Sequence, residues 1–336
     1  MKKKILLISL ATILLIAGFF AWKLFGPAVS IKQEHYLYIK TGSSYEDVQA
    51  ELVKNDFIGG TAWLNMASKI VGYQKIKPGR YKLTNGMSLT NLVRLLKNGQ
   101  QTPVTFVVTK IRTKEVLADR IGSAFECDSL QMISFLNNND SLVGYDLDSN
   151  TAMSAIMPLT YDIKWNTTPG KLFQQFYTAY KTFWTPERKQ KAEKLGLTPI
   201  GVSTLASIID EETNSPIDRP KIASVYLNRI KLGMPLQADP TLKFALKNFG
   251  LKRLLNEHKE VVSPYNTYSN KGLPPGPICT PQIATIDAVL DSPKTDYLYF
   301  VANSDFSGNS IFTTNLTDHM KYARLYQQEL NKRNIK

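Results

Sequence analysis

Cysteine and histidine are scarce in this sequence of 336 residues, which contains two cysteines and three histidines. His35, His258 and His319 stand singly, without the HExxH or paired-cysteine spacing of zinc sites. We therefore expect no metal and no other cofactor. Cys127 and Cys279 have no spacing that indicates a disulfide, so two buried thiols are the favoured interpretation.

The N-terminal segment has no charged residue between Lys4 and Lys23. Its apolar run from Ile5 to Trp22 covers about 27 Å at helical rise, close to the thickness of a membrane's hydrocarbon core. A cleaved signal peptide is the alternative, but bulky side chains occupy the positions where processing needs small ones. No cysteine follows the run, which excludes a lipid-modified N-terminus. Residues 1–26 are therefore predicted to be a cytoplasmic N-terminus and a transmembrane anchor.

Three lysines precede the span, and no comparable cluster follows it immediately. This asymmetry predicts that everything after about residue 26 lies on the extracytoplasmic, periplasmic-type side of the cytoplasmic (inner) membrane. The formal net charge is +13, but the basic residues are spread along the chain rather than gathered with aromatic ones. Together with the predicted export, this excludes a nucleic-acid partner and favours a surface that tolerates an anionic wall or lipid.

The rest of the chain predicts an α+β fold in three parts. Residues 34–102 combine short strand and helix patterns and predict a small α+β module. Residues 103–168 predict a second small α+β or linker region, in which 129–165 is assigned to the linker because a polar stretch interrupts its helical pattern. Residues 169–336 are mainly helical and are predicted to form the functional domain.

Three consecutive acids end an apolar helix in this last part. Glu212 continues the stripe of Leu205 and Ile208, while Asp210 falls on the outer side, about 200° away, and Glu211 lies between them. A carboxyl group on an apolar face has a raised pKa, and the two neighbouring acids are expected to raise it further. Such a group suits general acid catalysis. A solvated helix end is the alternative.

The loop at 263–278 is rich in proline, glycine and asparagine and carries aromatic rings at Tyr265 and Tyr268. Rings and amide groups on a stiff loop suit a sugar polymer, although a purely structural loop is the alternative. Asp239 precedes this loop. It could be a second carboxylate, in which case a glycosidase that uses Glu212 and Asp239 with water is possible.

Seven segments carry a resemblance to a known family, in the same order along the chain. They are LASIIDEET at 205–213, ASVYLNR at 223–229, GMPLQADPT at 233–241, YNTY at 265–268, GLPPGPI at 272–278, YLYFVA at 297–302 and FTTNL at 312–316. The chain resembles the endolytic murein transglycosylase (YceG-like) family over the anchor and nearly all of residues 36–330.

The resemblance implies a LysM-like module followed by a lysozyme-like catalytic domain with a single catalytic glutamate, Glu212. In such enzymes the acid protonates the bond between N-acetylmuramic acid and N-acetylglucosamine. It then takes the proton of the muramic C6 hydroxyl, and the product is a 1,6-anhydro end. The cut would fall within nascent peptidoglycan strands, in cell-wall assembly and strand-length control, and cell-wall synthases would be partners.

Further candidates for substrate-positioning or supporting groups come from the same segments. They are Asn228, Asp239, Thr241, Tyr265, Asn266, Tyr268 and Asn315. Three positions depart from the family pattern: Asp210 stands for glutamate, Leu159 for aspartate, and Thr109-Lys110 for Glu-Gly. Two alternatives stay open at this point, a non-catalytic wall-binding scaffold and a muramidase-type hydrolase that uses Glu212 with Asp239.

Overall fold

The computed structural model describes residues 2–32, 35–251 and 254–333. Residue 34, where the predicted module begins, and the final residues 334–336 lie outside the described residues. The chain divides into two compact units. Their bounds are residues 1–106, 124–127 and 162–168 for unit 1, and residues 107–123, 128–161 and 169–336 for unit 2. The predicted second region, 103–168, therefore contributes to both units.

Unit 1 combines the N-terminal helix with short strands and helices. Its elements are α1 (Lys2–Phe25), β1 (Tyr36–Ile39), α2 (Tyr45–Lys54), α3 (Ala62–Val71), β2 (Gly79–Lys82) and α4 (Leu89–Asn98). β1 and β2 pair antiparallel, with Tyr36 opposite Lys82. The apolar face of α4, which includes Leu92 and Val93, is fully buried in the core of this unit. Unit 1 thus combines helices with one short antiparallel strand pair, a mixed α and β composition.

Among the described residues, α1 is the one helix long and apolar enough to cross a membrane. Its last turn is packed into unit 1, where Leu24 is 6% exposed and its carbonyl oxygen accepts a 3.1 Å hydrogen bond from the Thr90 hydroxyl. Val29 is also buried, and its N–H donates to the Met87 carbonyl at 2.9 Å. The apolar helix therefore joins the core of unit 1 without an intervening linker.

Two short strands pair where the chain leaves and re-enters unit 1. They are β3 (Val104–Val107) and β4 (Thr160–Ile163).

Unit 2 is mainly helical. Its further elements are α5 (Lys114–Ala124), α6 (Ser129–Asn137), α7 (Asn139–Leu142), α8 (Pro169–Phe183), α9 (Pro186–Lys194), α10 (Pro199–Glu212), α11 (Arg219–Lys231), α12 (Asp239–Ala245), α13 (Ile283–Leu290), β5 (Tyr299–Ala302), β6 (Ser310–Thr313) and α14 (Leu316–Lys332). A helix-rich α+β fold is thus confirmed.

The assignment of 129–165 to a linker is wrong. The segment forms α6, α7, two short 3₁₀ turns and β4. The polar stretch that interrupts the helical pattern consists of caps: Asn138 ends α6, and its side chain accepts a hydrogen bond from the Asp140 N–H at the start of α7. Asparagine favours such cap positions because its side chain replaces a backbone partner.

Thr280, which precedes a proline, has the residue type of a helix N-cap, but α13 begins only at Ile283. The Thr280 hydroxyl accepts a 2.8 Å hydrogen bond from the Ile111 N–H and donates to the Thr109 carbonyl at 2.9 Å. A long-range contact therefore takes the hydroxyl that a local cap would use. This contact ties the end of the 263–278 loop to the segment that follows β3.

α10 runs through the centre of unit 2 and packs against α11, α12 and α13. Thr198 caps its N-terminus with Pro199 in the first turn, as both residue types favour. All residues from Val202 to Asp210 are buried, so the helix is enclosed on every side rather than along one stripe. The three acids form its C-terminal end, where Glu211 and Glu212 are partly exposed.

Candidate active site

Glu212 is the last residue of α10, and Thr213 after it is extended. The preceding Ile208 and Ile209 are fully buried, whereas Glu212 retains partial exposure. The Tyr226 hydroxyl on α11 donates a 2.7 Å hydrogen bond to Oε1 of Glu212. Glu212 therefore lies at the edge of the core, partly exposed as a residue, with its carboxyl group held by a buried tyrosine.

The pKa of Glu212 is raised to about 7, chiefly because the surrounding protein removes water from its charged form. The hydrogen bond from Tyr226 acts in the opposite direction and lowers the pKa. Among nearby charges, Asp239 raises it, while Lys243 and Arg229 lower it. A pKa near neutrality allows the same group to give up a proton and later to accept one.

The prediction that Asp210 lies on the outer side of the helix is wrong. Asp210 is 2% exposed, and its carboxylate accepts a 2.6 Å hydrogen bond from the Thr285 hydroxyl. Arg219 lies 3.5 Å and Lys110 3.7 Å from the carboxylate oxygens. The stripe argument fails here because α10 has no outer side, and a buried carboxylate needs partners of this kind.

The same network includes the helix end and Glu211. Lys110 Nζ donates to the Asp210 carbonyl at 2.6 Å, where a cation is favoured by the helix dipole. Arg112 binds both carboxylate oxygens of Glu211, at 3.1 and 2.9 Å, and Lys110 lies 3.0 Å from it. The expectation that Asp210 and Glu211 raise the pKa of Glu212 is thus wrong: both are paired with basic side chains, and Asp239 is the acid that raises it.

Tyr226 is a residue of the candidate site that sequence reasoning missed. It is 1% exposed, and burial raises the pKa of its hydroxyl well above the ordinary value. Within the sequence it is only one inward-facing residue of α11. A signal was nevertheless present, because a buried tyrosine needs a partner for its hydroxyl group. An unpaired acid at the end of the neighbouring helix is the natural candidate.

Asn228 and Arg229 hold the chain segment that leads into β5. Asn228 Nδ2 donates to the carbonyl oxygens of Thr295 and Tyr297, at 2.7 and 3.0 Å. Buried Arg229 donates to the Leu298 carbonyl at 2.7 Å. Of the two roles predicted for Asn228, the supporting one fits this geometry, while Arg229 also places a positive charge near Glu212.

Asp239 and Tyr268 form the second pair of a carboxylate and a tyrosine at the site. Asp239 is the first residue of α12, and Tyr268 lies in the 263–278 loop. The Tyr268 hydroxyl donates a short 2.5 Å hydrogen bond to Oδ1 of Asp239. Burial, and then Asp239, raise the pKa of Tyr268, and the charge of Glu212 contributes in the same direction. Both predicted residues therefore lie beside Glu212.

Thr241 and Asn266 are fully buried; Thr241 ties α12 to the loop, and Asn266 holds the loop internally. The Thr241 and Thr267 hydroxyls are 2.8 Å apart. Asn266 Nδ2 donates to the Lys259 and Val261 carbonyls at 2.8 Å, and its Oδ1 accepts from the Tyr268 N–H. These contacts use the polar atoms of both residues within the protein. Their polar atoms therefore support the loop that carries Tyr268 and are not available to a ligand.

Tyr265 and Asn315 complete the predicted set. The Tyr265 ring packs on Phe244 with centroids 4.7 Å apart, and burial raises the pKa of Tyr265 to about 12. Asn315 caps α14: its side chain accepts from the Asp318 N–H at 2.9 Å. Helix capping accounts for the side chain of Asn315.

The site contains one candidate proton-transfer group, Glu212, and a set of neighbouring side chains that hold it or act on its charge. Tyr226 and Glu212 form one pair, Tyr268 and Asp239 the other, and Arg229 and Lys243 supply positive charge. No group of three histidine, cysteine, aspartate or glutamate side chains that could hold a metal ion occurs within residues 2–32, 35–251 and 254–333. Glu212, with its pKa near neutrality, is the group of this site best suited to proton transfer.

Comparison with known proteins gives a consistent set of similarities. The model of the YceG-like family matches residues 37–325. An endolytic murein transglycosylase of Bacillus subtilis is 31% identical over 316 residues, which cover 88% of this chain and 85% of that protein. An endolytic murein transglycosylase of Streptococcus pneumoniae is 28% identical and matches 84% of this chain but only 56% of its own length.

A solved structure is similar as well. The crystal structure of a yceG-like protein from Listeria monocytogenes matches 85% of this chain and 97% of its own, with 26% sequence identity and a TM-score of 0.57.

Proposed function

The chain belongs to the YceG-like family, and on that premise we propose that it is an endolytic murein transglycosylase with Glu212 as its catalytic acid and base. One observation carries the assignment of the residue. Glu212 stands at the edge of a buried helix with a pKa raised to about 7 and a hydrogen bond from Tyr226. A non-catalytic scaffold would have no use for an acid held in this way.

The proposed reaction needs a single carboxyl group. Glu212 in its protonated form gives its proton to the oxygen between N-acetylmuramic acid and N-acetylglucosamine as the bond from C1 to that oxygen breaks. The C6 hydroxyl oxygen of the muramic residue then bonds to C1, and its proton passes to the Glu212 carboxylate. No water is consumed, and the product is a 1,6-anhydro end. Intramolecular attack has a high effective molarity, which explains why no second carboxylate is required.

The surroundings of Glu212 support both halves of this cycle. Burial favours the protonated acid that begins the reaction. Once the proton is given up, the Tyr226 hydroxyl and the positive charges of Arg229 and Lys243 stabilise the carboxylate. The balance keeps the pKa near 7 and not far above it, so that the carboxylate can recover a proton in the second half.

Asp239 supports a second candidate, a muramidase that uses water. Its charge acts on the pKa of Glu212, so a second carboxylate does lie near the acid. In that reaction Asp239 would guide water or stabilise the charged sugar, and the product would have a reducing end. The hydrogen bond from Tyr268 occupies one of its oxygens and favours a positioning role instead.

For the molecule as a whole we propose a LysM-like module in unit 1 and a lysozyme-like catalytic domain in unit 2. The apolar helix α1 would anchor the chain in the cytoplasmic membrane as a single span, with both units on the extracytoplasmic side. The substrate would be nascent peptidoglycan close to that membrane, and cell-wall synthases are proposed partners. Activity there would contribute to wall assembly and to control of strand length.

Analysis of the products from purified murein strands tests the function. Wild-type protein should release muropeptides with 1,6-anhydro ends from internal positions, and Glu212→Gln should lower the rate by roughly a thousandfold, within the range typical of a lost general acid. Glu211→Gln is the matched control, since it makes the same change one residue earlier, and it should retain most activity. Equal rates for wild type and Glu212→Gln would refute the assignment of Glu212. Products with reducing ends instead of 1,6-anhydro ends would show that the enzyme is a muramidase.

A further inference from the structure

The N-terminal helix and α3 meet at the level where α1 would leave the membrane. The rings of Phe19 and Phe20 contact the ring of Trp63 on α3, with centroids 5.8 and 5.2 Å apart. Both phenylalanines belong to the last turn of the apolar run, which ends just before Lys23. If α1 spans the bilayer, Trp63 therefore lies at its surface, in the zone that tryptophan side chains prefer.

α3 presents more apolar surface on the same face. Met66 is 37% and Ile70 is 61% exposed, and with Trp63 they follow the spacing of three and four residues that aligns side chains on a helix. Lys69 is exposed beside them. Exposed apolar side chains in a continuous stripe indicate an interaction surface. Because this stripe continues directly from a membrane-spanning helix, lipid is the partner that fits it.

A cavity of about 570 Å³ opens at the same place in unit 1. Its lining includes aromatic rings, glycine backbone and a single charged side chain. The main lining residues are Trp22, Lys23, Ile58, Gly59, Gly60 and Trp63. The Lys23 ammonium lies 5.0 Å from the centre of the Trp22 ring, and the described residues place no carboxylate within 4 Å of it. A cavity with a basic rim at membrane level suits an anionic lipid headgroup.

We propose that the cavity and the exposed face of α3 bind the surface of the membrane that α1 crosses, with an anionic phospholipid headgroup in the cavity beside Lys23. This inference rests on the proposed anchoring by α1 and is independent of Glu212. It makes unit 1 a lipid-contacting module as well as a proposed wall-binding one. Three features carry it: the ring contacts to α1, the apolar stripe of α3 and the basic cavity.

Fluorescent labels on single added cysteines in the full chain test the contact. The chain is placed in vesicles of phosphatidylglycerol and phosphatidylcholine that contain brominated lipid as a quencher. Met66→Cys and Ile70→Cys should be quenched, whereas Val53→Cys on α2, an exposed aliphatic position of the same unit, should not. The native Cys127 and Cys279 are buried, so unsubstituted protein measures background labelling. If the labels at positions 66 and 70 are quenched no more than the label at position 53, the proposal is overturned.

Two further measurements separate the possible failures. Ile16→Cys in α1 reports insertion itself: if it is quenched while positions 66 and 70 are not, only this inference fails, and if it is unquenched, the anchoring fails with it. Headgroup selection is measured at position 70 by comparing brominated phosphatidylglycerol with brominated phosphatidylcholine. We expect a preference of about fivefold for the anionic lipid, the effect of one lysine near a membrane surface, and its loss in Lys23→Gln. Equal quenching by both lipids in the chain with Lys23 would overturn the headgroup site.

Discussion

Glu212 and Tyr226 act as one unit, because each changes the proton affinity of the other. The carboxylate raises the pKa of the tyrosine, and the tyrosine's hydrogen bond lowers the pKa of the glutamate. Desolvation raises the pKa of Glu212, which helps the first proton transfer and hinders the return, and the hydrogen bond from Tyr226 acts against it. The Tyr226 hydroxyl therefore helps to set the pH range in which Glu212 can both donate and accept a proton.

Replacement of Tyr226 by phenylalanine should move the pH dependence of the reaction. Loss of the hydrogen bond raises the pKa of Glu212, so the alkaline limb of kcat/KM should shift upward by roughly half a pH unit to one unit, with a roughly tenfold loss of kcat from poorer orientation. The rate of strand cleavage measured across pH checks this. Tyr161→Phe is the control, since that buried hydroxyl binds the Met157 carbonyl, and an equal shift there would contradict the role of Tyr226.

The raised pKa of Glu212 also predicts how stability depends on pH. An unfolded chain loses this proton near 4.5, whereas the folded protein keeps it until about 7. The folded state binds more protons between these values, so the contribution to stability is complete below 4.5 and is lost as the pH rises through 7. Glu212→Gln has no charge to bury and should exceed wild type by about 1–2 kcal/mol at pH 8, after allowance for partial exposure of the carboxyl.

Urea unfolding of both proteins at pH 4.5 and pH 8 measures the difference. Glu211→Gln serves as the control, and we expect no gain in its stability at pH 8. A Glu212→Gln variant whose advantage does not grow with pH would show that the acid is not desolvated in the folded state.

Single residues were predictable where a local pattern decided their environment. Glu212 was identified because it continues the spacing of Leu205 and Ile208, and the structure places it at the edge of that core. Asp210 was not, because its burial depends on α13, which comes some seventy residues later in the chain and supplies Thr285. The pairing of Tyr226 with Glu212 likewise needs the packing of two helices, which no spacing within either helix encodes.

Among the elements, α10 combines a fully buried body with a charged end. Its last residues would place negative charge where the helix dipole already is negative, an unfavourable arrangement. Lys110 corrects this by donating to the Asp210 carbonyl, and Arg112 and Arg219 pair with the acids themselves. The network fixes the end of the helix, from which the Glu212 side chain projects.

Asp210→Asn should therefore destabilise the protein without touching the reacting group. Removal of the carboxylate charge leaves Arg219 and Lys110 without their buried counter-charge. Breaking a buried ion pair in this way costs about 3 kcal/mol in stability. Unfolding in urea measures the loss, with Asp291→Asn as the control because that acid is exposed although it also contacts a lysine. An Asp210→Asn variant as stable as wild type would contradict the structural role of the network.

The 263–278 loop is seated by a close backbone approach at Gly276. A Cβ added there would lie 2.1 Å from the Asn150 carbonyl oxygen, too close for any side chain. Gly276→Ala should displace the loop that carries Tyr268, with a loss of about 1–3 kcal/mol in stability and reduced cleavage.

Thermal unfolding and the cleavage rate check both effects of Gly276→Ala. Gly144→Ala is the matched control, because a Cβ at that position meets no atom within 4 Å. The same losses in both variants would show that close approach at Gly276 is not the cause.

Elements with strong local signals begin and end where their residue types favour, whereas elements defined by long-range contacts do not. Ser44 begins α2 with a capping box, and Gly99 ends α4 in the left-handed conformation, as their residue types favour. Thr280 has the local signature of a cap, yet its hydroxyl binds Thr109 and Ile111. A sequence window cannot reveal that competition, because the partners lie about 170 residues away.

At the scale of the whole molecule, the charge around α1 predicts which side of the membrane each part occupies. A membrane-impermeant maleimide should label Leu130→Cys in intact protoplasts, since this position is 74% exposed, and should label Lys3→Cys only after permeabilisation. Buried Cys127 and Cys279 keep the background low. Labelling of position 3 in intact protoplasts would reverse the proposed orientation.

The class of fold, the apolar span and the family followed from composition, hydropathy and motif order. The division into two units did not, because residues 124–127 and 162–168 return to unit 1 after the chain has entered unit 2. The second of these returns coincides with the pairing of β3 and β4, which lie more than fifty residues apart along the chain. Local propensity carries no information about that partnership.

The burial of Leu24 in unit 1 links α1 mechanically to the module. A spanning helix adjusts to bilayer thickness by changing its tilt, and a helix on a loose tether could do so without consequence. If α1 spans the bilayer as proposed, its last turn is packed in the core of unit 1, so a change in its tilt would be passed on to unit 1. Lipid composition would then steer the module, and thinner or thicker membranes would aim it in different directions.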